Sequence, residues 1–263
     1  GAVTPAGLDF YSRLVDGLLE AGIRPVATLY HWDLPQVLDE RGGWLARDSA
    51  QWFAEYAGTV VAALGDRVTN WTTLNEPWCS SILSYSVGQH APGHRDPVEG
   101  LVAAHHLMLA HGTAVPVIRD ACPDAEVSIT LNPSQIYGPD DGDERDADAV
   151  RRMDNIYNGL FFGPVFHGEY PQGFLEDTAH LTDHAHIRDG DLDTIQAPLD
   201  NLGVNNYFPV RARAARDGEA ADSVLPGCDG VVATDPRPPL TAMGWEVNPA
   251  AHRAIIERSA RES

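Results

Sequence analysis

Asn70-Trp71-Thr72-Thr73-Leu74-Asn75-Glu76-Pro77-Trp78 is the segment on which the reading of this chain rests. Val68, Trp71 and Thr72 to Leu74 are apolar, aromatic or β-branched, which predicts a strand buried on both faces. Pro77 has no N–H for a sheet ladder and turns Glu76 away from helical geometry, so the strand ends there. Asn75, Glu76 and Trp78 then stand at the C-terminal end of a buried strand. In parallel α/β folds that end is where ligands bind. A tripeptide such as Asn-Glu-Pro is weak by itself, so its weight depends on what surrounds it.

Upstream, Thr4-Pro5 predicts a cap with Pro in the first helical turn. Leu8, Tyr11, Leu14, Val15, Leu18 and Leu19 recur at helical spacing, and Gly22 suits the C-terminal end. Pro25 to Tyr30 reads as a short apolar strand running into His31-Trp32-Asp33-Leu34-Pro35, again polar and aromatic groups at a strand end. After a Gly42-Gly43-Trp44 loop, Asp48 or Ser49 is expected to cap a helix with the apolar face Trp52, Phe53, Tyr56, Val60, Ala63 and Leu64, closed by Gly65.

Downstream, Ser84 to Arg95 reads as a loop containing Gly and His. Asp96-Pro97 opens a long helix with Glu99 near its positive end, carrying Leu101, Val102, His105, Leu109 and Ile118. Pro116 is expected to kink it or end it early. Glu126 to Leu131 is a third strand with Asn132-Pro133 at its end. The acidic run Asp140, Asp141, Asp143, Glu144, Asp146 and Asp148 reads as a solvated loop. A helix from about Ala147 to Phe162 follows, and Pro164, Pro171 and glycines break the stretch Gly163 to Phe174. Asn201 to Tyr207 is a fourth strand, Arg211 to Pro239 a long irregular loop, and Pro249 to about Ser259 a last helix. There is no internal repeat. Strands alternating with helices predict a parallel sheet. A closed (β/α)8 barrel needs eight such strands, so the reading is a piece of a larger barrel.

The chain has 263 residues, 43% of them hydrophobic, enough for a full core. Acidic residues number 38 against 18 basic, a formal net charge of −20. Nucleic acid and anionic membrane both need a basic surface, so neither is an expected partner. Cys79, Cys122 and Cys228 are widely spaced without C-x-x-C, which indicates neither a disulfide framework nor a zinc site. No apolar run approaches the roughly 18 residues of a membrane span. Gly1-Ala2-Val3-Thr4-Pro5 is not a signal peptide. A cytoplasmic location is the expectation, with the chain starting inside a longer protein because no initiator Met is present.

The strand ends share Trp, Asn, His, Glu and Tyr in place of ordinary turn residues. Asn and His give directed hydrogen bonds to hydroxyls, and Trp and Tyr give flat apolar faces for sugar rings. A neutral polyhydroxylated substrate fits that set. No phosphate loop is present and no cofactor is expected. His180, His184 and His186 with Asp183 could ligate a metal, but a solvated polar loop is the preferred reading.

The chain resembles glycoside hydrolase family 1, the retaining β-glucosidases. The matching segments are Leu29-Tyr30-His31-Trp32-Asp33-Leu34-Pro35, Thr73-Leu74-Asn75-Glu76-Pro77, Gly203-Val204-Asn205-Asn206-Tyr207 and Met243-Gly244-Trp245-Glu246-Val247. Gly22-Ile23-Arg24-Pro25 and the stretch from Pro164-Val165-Phe166 to Tyr170-Pro171 add to them. They follow one another in the family's order over nearly the whole chain. The resemblance implies an α/β fold, a partial (β/α)8 TIM barrel holding strands three to six. Residues 1–263 would be a single domain lacking strands one, two, seven and eight.

The resemblance also implies roles. Glu76 would be the general acid/base, and Asn75 would hold the sugar 2-hydroxyl. His31 and Trp32 would line the glycone subsite, and Trp78 would face the aglycone. Asn132 would lie near the reacting centre, and Tyr207 would hydrogen-bond the nucleophile. No metal is implied. Two departures stand out. Asn206 occupies a position that is usually aromatic. The nucleophile motif, Ile/Val-Thr-Glu-Asn-Gly, is absent, so no nucleophile is assigned; Glu246 lies outside the family's catalytic set. Retaining hydrolysis needs two carboxyls about 5–5.5 Å apart, so this chain is expected to hold half of the pair. The expected function is hydrolysis of terminal β-D-glucosides by the parent enzyme, acting on β-glucosides or short oligosaccharides. The alternative is a catalytically inactive sugar-binding or structural remnant. A cellulase of the same clan is disfavoured by the His31 and Gly203 segments. Glucose, galactose and fucose remain open as the glycone, as does the oligomeric state.

Overall fold

The computed structural model describes residues 3–219 and 222–263. Gly1 and Ala2, at the start of the N-terminal segment read above, and Ala220 and Ala221, within the loop expected after Arg211, lie outside the described residues. Helix α1 (Pro5–Glu20) closes on a Schellman turn, in which Gly22 at φ 74° donates to Leu19 O and Ile23 donates to Leu18 O. Only Val15 of its apolar stripe is buried; Tyr11, Leu14 and Leu19 are exposed. Strand β1 (Val26–Tyr30) follows, then the single turn α2 (Gln36–Asp39) and α3 (Ser49–Leu64). The Asp48 side chain does not cap α3, because its backbone is already helical at φ −61° and ψ −13°. The buried face of α3 is Ala50, Phe53, Ala54, Ala57, Val61 and Leu64. That differs from the expected face, since Tyr56 is exposed and Trp52 lies under the Arg41 guanidinium. Alanines, which weigh little in a hydrophobic pattern, let α3 approach its neighbour closely.

Strand β2 (Asn70–Asn75) is buried along its whole length. Its threonines are paired: Thr72 Oγ1 lies 2.8 Å from Ser128 Oγ, and Thr73 Oγ1 lies 2.7 Å from His111 Nδ1. This pairing is what lets threonines occupy a central strand. Beyond Pro77 the chain is helical through Ser86, with a π-type segment at Cys79–Ser86. The loop expected from Ser84 therefore begins at Val87, because Val87 N donates back to Ile82 O and Gln89 N to Leu83 O.

Helix α4 (Pro97–Ala121) is capped by Asp96, whose carboxylate accepts from the N–H groups of Val98 and Glu99. Pro116 lies inside α4 without ending it. The helix packs on α3 and on the π-type segment, and this tertiary burial outweighs one lost backbone bond. Contrary to the sequence reading, α4 holds an 18-residue window with a mean hydropathy of 1.4, long and apolar enough to span a membrane by composition. That window is 78% buried inside the protein, which makes α4 a core helix.

Strand β3 (Glu126–Leu131) matches expectation, and the short β4 (Ile136–Tyr137) follows it. Helix α5 (Glu144–Asp154) starts earlier than predicted, because Asp143 and Asp146 form a capping box. Asp146 is 3% exposed, not solvated; it accepts from Ala214 N and from the Arg216 guanidinium, both at 2.9 Å. The helix continues through wide turns at Asn155–Gly159, α6 (Leu160–Phe162) and Gly163–His167. Pro164 does not break it, since it sits in the first turn of the last segment, where its missing N–H costs little. The short helices α7 (Phe174–Thr178) and α8 (Asp191–Ile195) precede β5 (Asn201–Val204), which is shorter than the predicted fourth strand. The expected irregular loop contains the antiparallel pair β6 (Val210–Ala214) and β7 (Val231–Ala233), with α9 (Pro249–Glu262) closing the described chain.

The order β1-β2-β3-β5 is all parallel, which is the expected partial barrel wall. β1 and β5 are its edges, and the helices cover the face that holds Trp71, Thr73 and Ile129, with Thr73 bonded to His111 of α4. β4, β6 and β7 form a second, smaller sheet against α5.

Candidate active site

Glu76 is the first residue past β2, and its backbone takes the left-handed conformation at φ 49°. Such a conformation is unfavourable for a side chain with a Cβ and persists where surroundings fix it. Two backbone bonds fix it here: Glu76 N donates to Thr130 O at 2.8 Å, and Cys79 N donates to Glu76 O at 2.9 Å. The carboxylate is 5% exposed. Asn205 Nδ2 donates to Oε1 at 2.6 Å, and the Cys79 thiol donates to Oε2 at 3.2 Å. Both partners are uncharged. Burial, followed by the charge of Glu76, pushes the Cys79 thiol well above its ordinary range, so it keeps its proton.

Asn75 sits beside it. Its Oδ1 accepts from the same Asn205 amide at 3.1 Å, and its Nδ2 lies 3.3 Å from His31 Nε2. Trp32, at the end of β1, is also left-handed at φ 76°, and its indole N–H donates to Asn75 O at 2.9 Å. Trp32 is 40% exposed and packs between His31 and His90, with ring centroids 5.3 and 5.1 Å away.

On the other side, Trp78 stacks on Tyr157 at 4.6 Å between centroids. Its buried Nε1 has no hydrogen-bond partner among the described residues. Asn132 Nδ2 donates to Cys79 Sγ at 3.7 Å. Tyr207 is exposed, with its ring 5.5 Å from Trp245, and its hydroxyl pKa is raised by desolvation and then by the charge of Glu76. The structure thus joins His31, Trp32, Asn75, Glu76, Asn132 and Cys79 in one contact chain through Asn205. Trp78 and Tyr207 flank that chain.

Asn205, Cys79, His90 and Tyr157 join the site only through the fold. Asn205 is the next residue after β5, and Asn205 N donates to Leu131 O at 2.9 Å, continuing the ladder to the level of Glu76. Cys79 lies three residues after Glu76 on a helical turn, a spacing that brings side chains together. Asn206, at the usually aromatic position, donates to Pro133 O at 2.8 Å and lies 3.0 Å from His252 Nδ1 on α9.

Glu246 is equally buried but differently held. Arg211 donates to both its oxygens at 2.8 Å, and Arg237 N and Asn248 Nδ2 add further bonds. The Arg211 pair leads in pulling its carboxyl pKa down to about 2. The histidines weighed as a metal group point to different partners: His180 to Asp229, His184 to Thr178, and His186 against the His105 ring. The stretch that carries them is a loop, as read, with His180 exposed and His184 and His186 half-buried.

The family profile described as Glycosyl hydrolase family 1 matches residues 1–262. The chain is 44% identical over 262 residues to a bifunctional beta-D-glucosidase/beta-D-fucosidase of Bifidobacterium breve, covering 95% of this chain and 55% of that protein. The crystal structure of a psychrophilic beta-glucosidase from Micrococcus antarcticus superposes with a TM-score of 0.91 at 45% identity, covering 98% of this chain and 57% of that one. A Thermotoga maritima beta-glucosidase in complex with deoxynojirimycin gives 0.89 at 38% identity, covering all of this chain and 57% of its own. The chain spans about half the length of the relatives it matches.

Proposed function

Because the chain belongs to glycosyl hydrolase family 1, we propose that it is the part of a retaining β-glucosidase that carries the general acid/base, Glu76. Residues 1–263 on this reading are one domain, four of the eight β/α units of a barrel. A nucleophilic carboxylate from the rest of that barrel attacks the anomeric carbon of a terminal β-D-glucoside. Glu76 protonates the departing oxygen, then takes a proton from the water that releases the glycosyl-enzyme. Asn75 binds the sugar 2-hydroxyl, and His31 and Trp32 form the wall of the glycone subsite. Trp78 lines the aglycone side, and Asn132 lies near the reacting centre. Tyr207, at the rim, hydrogen-bonds the nucleophile.

One observation carries the reading. Of the two carboxylates compared above, Glu76 alone is held by neutral partners, an amide and a thiol. An acid/base must be able to gain and lose a proton in each cycle. Glu246, tied to Arg211, stays ionised at any working pH. The test is Glu76→Ala in a protein of the relatives' full length that carries this segment. Turnover of a natural glucoside should fall on the order of 10²–10⁴-fold. Azide should restore turnover of an aryl glucoside, giving a β-glycosyl azide. A folded variant that azide does not rescue would remove Glu76 from the acid/base role.

A further inference from the structure

The two oxygens of the Glu76 carboxylate meet partners of different kinds. Asn205 Nδ2, a donor only, sits 2.6 Å from Oε1 and also donates to Asn75 Oδ1 at 3.1 Å, so that amide is fully oriented. Cys79 Sγ sits 3.2 Å from Oε2 and can both donate and, weakly, accept. Asn132 Nδ2, 3.7 Å from Sγ, gives the sulfur a second polar neighbour. Cys79 and Glu76 are each 5% exposed, so protein groups supply the fixed partners of the carboxyl.

We propose that Cys79 and Asn205 form a two-armed cradle that fixes the Glu76 carboxyl and assigns its exchangeable proton to Oε2, with the thiol reversing its hydrogen-bond role as that proton comes and goes. In the ionised state the S–H donates to Oε2. In the protonated state Oε2 carries the hydrogen, the thiol hydrogen turns away, and a sulfur lone pair faces the O–H. No bond to sulfur is made or broken, and the proton is exchanged with the leaving group or with water. An ammonium or guanidinium at Oε2 would hold Glu76 permanently ionised, and an apolar group would leave the charge uncompensated. A thiol is tolerant of both states. Cys79 is thus a positioning residue acting through Glu76. The titratable groups facing this pair are Tyr207 from the segment after β5, Tyr157 from the helical turns after α5 and, beyond Asn75, His31 at the end of β1. The catalytic meaning rests on the acid/base reading of Glu76, but the cradle itself does not.

The S–H stretching band of the thiols reads it directly, recorded on the unaltered 263-residue chain across the ionisation of Glu76. The Cys79 component should lie at lower frequency when Glu76 is ionised and move up when Glu76 takes a proton. Glu76→Gln, close in shape, should abolish that movement and leave the bands of Cys122 and Cys228 in place. Cys79→Ser should keep the titration of the Glu76 carboxyl band near its original midpoint, whereas Cys79→Val should displace it. A Cys79 band that ignores the ionisation of Glu76, or the same movement in Glu76→Gln, overturns the proposal. Band movement together with failed azide rescue would retain the cradle and remove the acid/base role. Successful rescue with a motionless band would do the reverse.

Discussion

Asn205 touches both Asn75 and Glu76 with one amide group, so its loss frees two side chains at once. A hydrogen bond to a charged group contributes about 1.5–3 kcal/mol. Asn205→Ala in a full-length protein carrying this segment should therefore lower kcat roughly 10- to 150-fold with little change in KM. A loss confined to KM would show that Asn205 serves ground-state binding only. The strand-end residues His31, Trp32, Asn75 and Glu76 were legible in the sequence because a proline and the ends of apolar runs marked where they stand. Asn205 and Cys79 were not, because their part depends on the register of β5 against β3 and on the pitch of the turn after Glu76. Asn206 reads as an anomaly in the sequence and as a tie in the structure, bridging Pro133 to His252 on α9.

The parallel elements β1, β2 and β3 could be read from their apolar runs, but the distance at which they pack could not. At Gly203 in β5 an added Cβ would stand 2.2 Å from Thr130 Oγ1 on β3. Gly203→Ala should therefore destabilise the fold by about 1–3 kcal/mol, read as a lower denaturation midpoint at unchanged slope. β6 and β7 escaped the sequence because short strands flanked by Gly, Pro and Asp look like loop, and their pairing with each other is non-local. Helix α4 contributes to the acid response. Burial alone lowers the pKa of its His111 to about 4, and burial leads for His106, also about 4. Between about pH 6.5 and 4 the unfolded chain binds protons that these folded histidines do not, so their contribution to stability falls as pH falls and levels off below 4. Thermal melts should show that slope, and His111→Gln should reduce it. A melting temperature unchanged between pH 7 and 4.5 would contradict it.

As a whole, the described chain is an open wall. β1 and β5 present unpaired edges, and Phe10, Tyr11, Leu14, Ile23 and Val26 leave apolar surface in solvent beside β1. Unpaired edges favour association, against which the net charge of −20 acts by repulsion. The 263-residue chain by itself is expected to associate in light scattering as salt is raised, and to hydrolyse no p-nitrophenyl β-glucoside. Turnover that vanishes in Glu76→Gln would mean a second working carboxylate within these residues. The contacts of Glu76 run to Asn205, Cys79 and Thr130, and through Asn205 to Asn75, all inside one continuous stretch of chain. These residues therefore hold that carboxylate by contacts of their own. On the function proposed above, such a segment would serve as one half of a two-piece reporter, whose colour would return when a complementary segment bearing the attacking carboxylate is brought alongside.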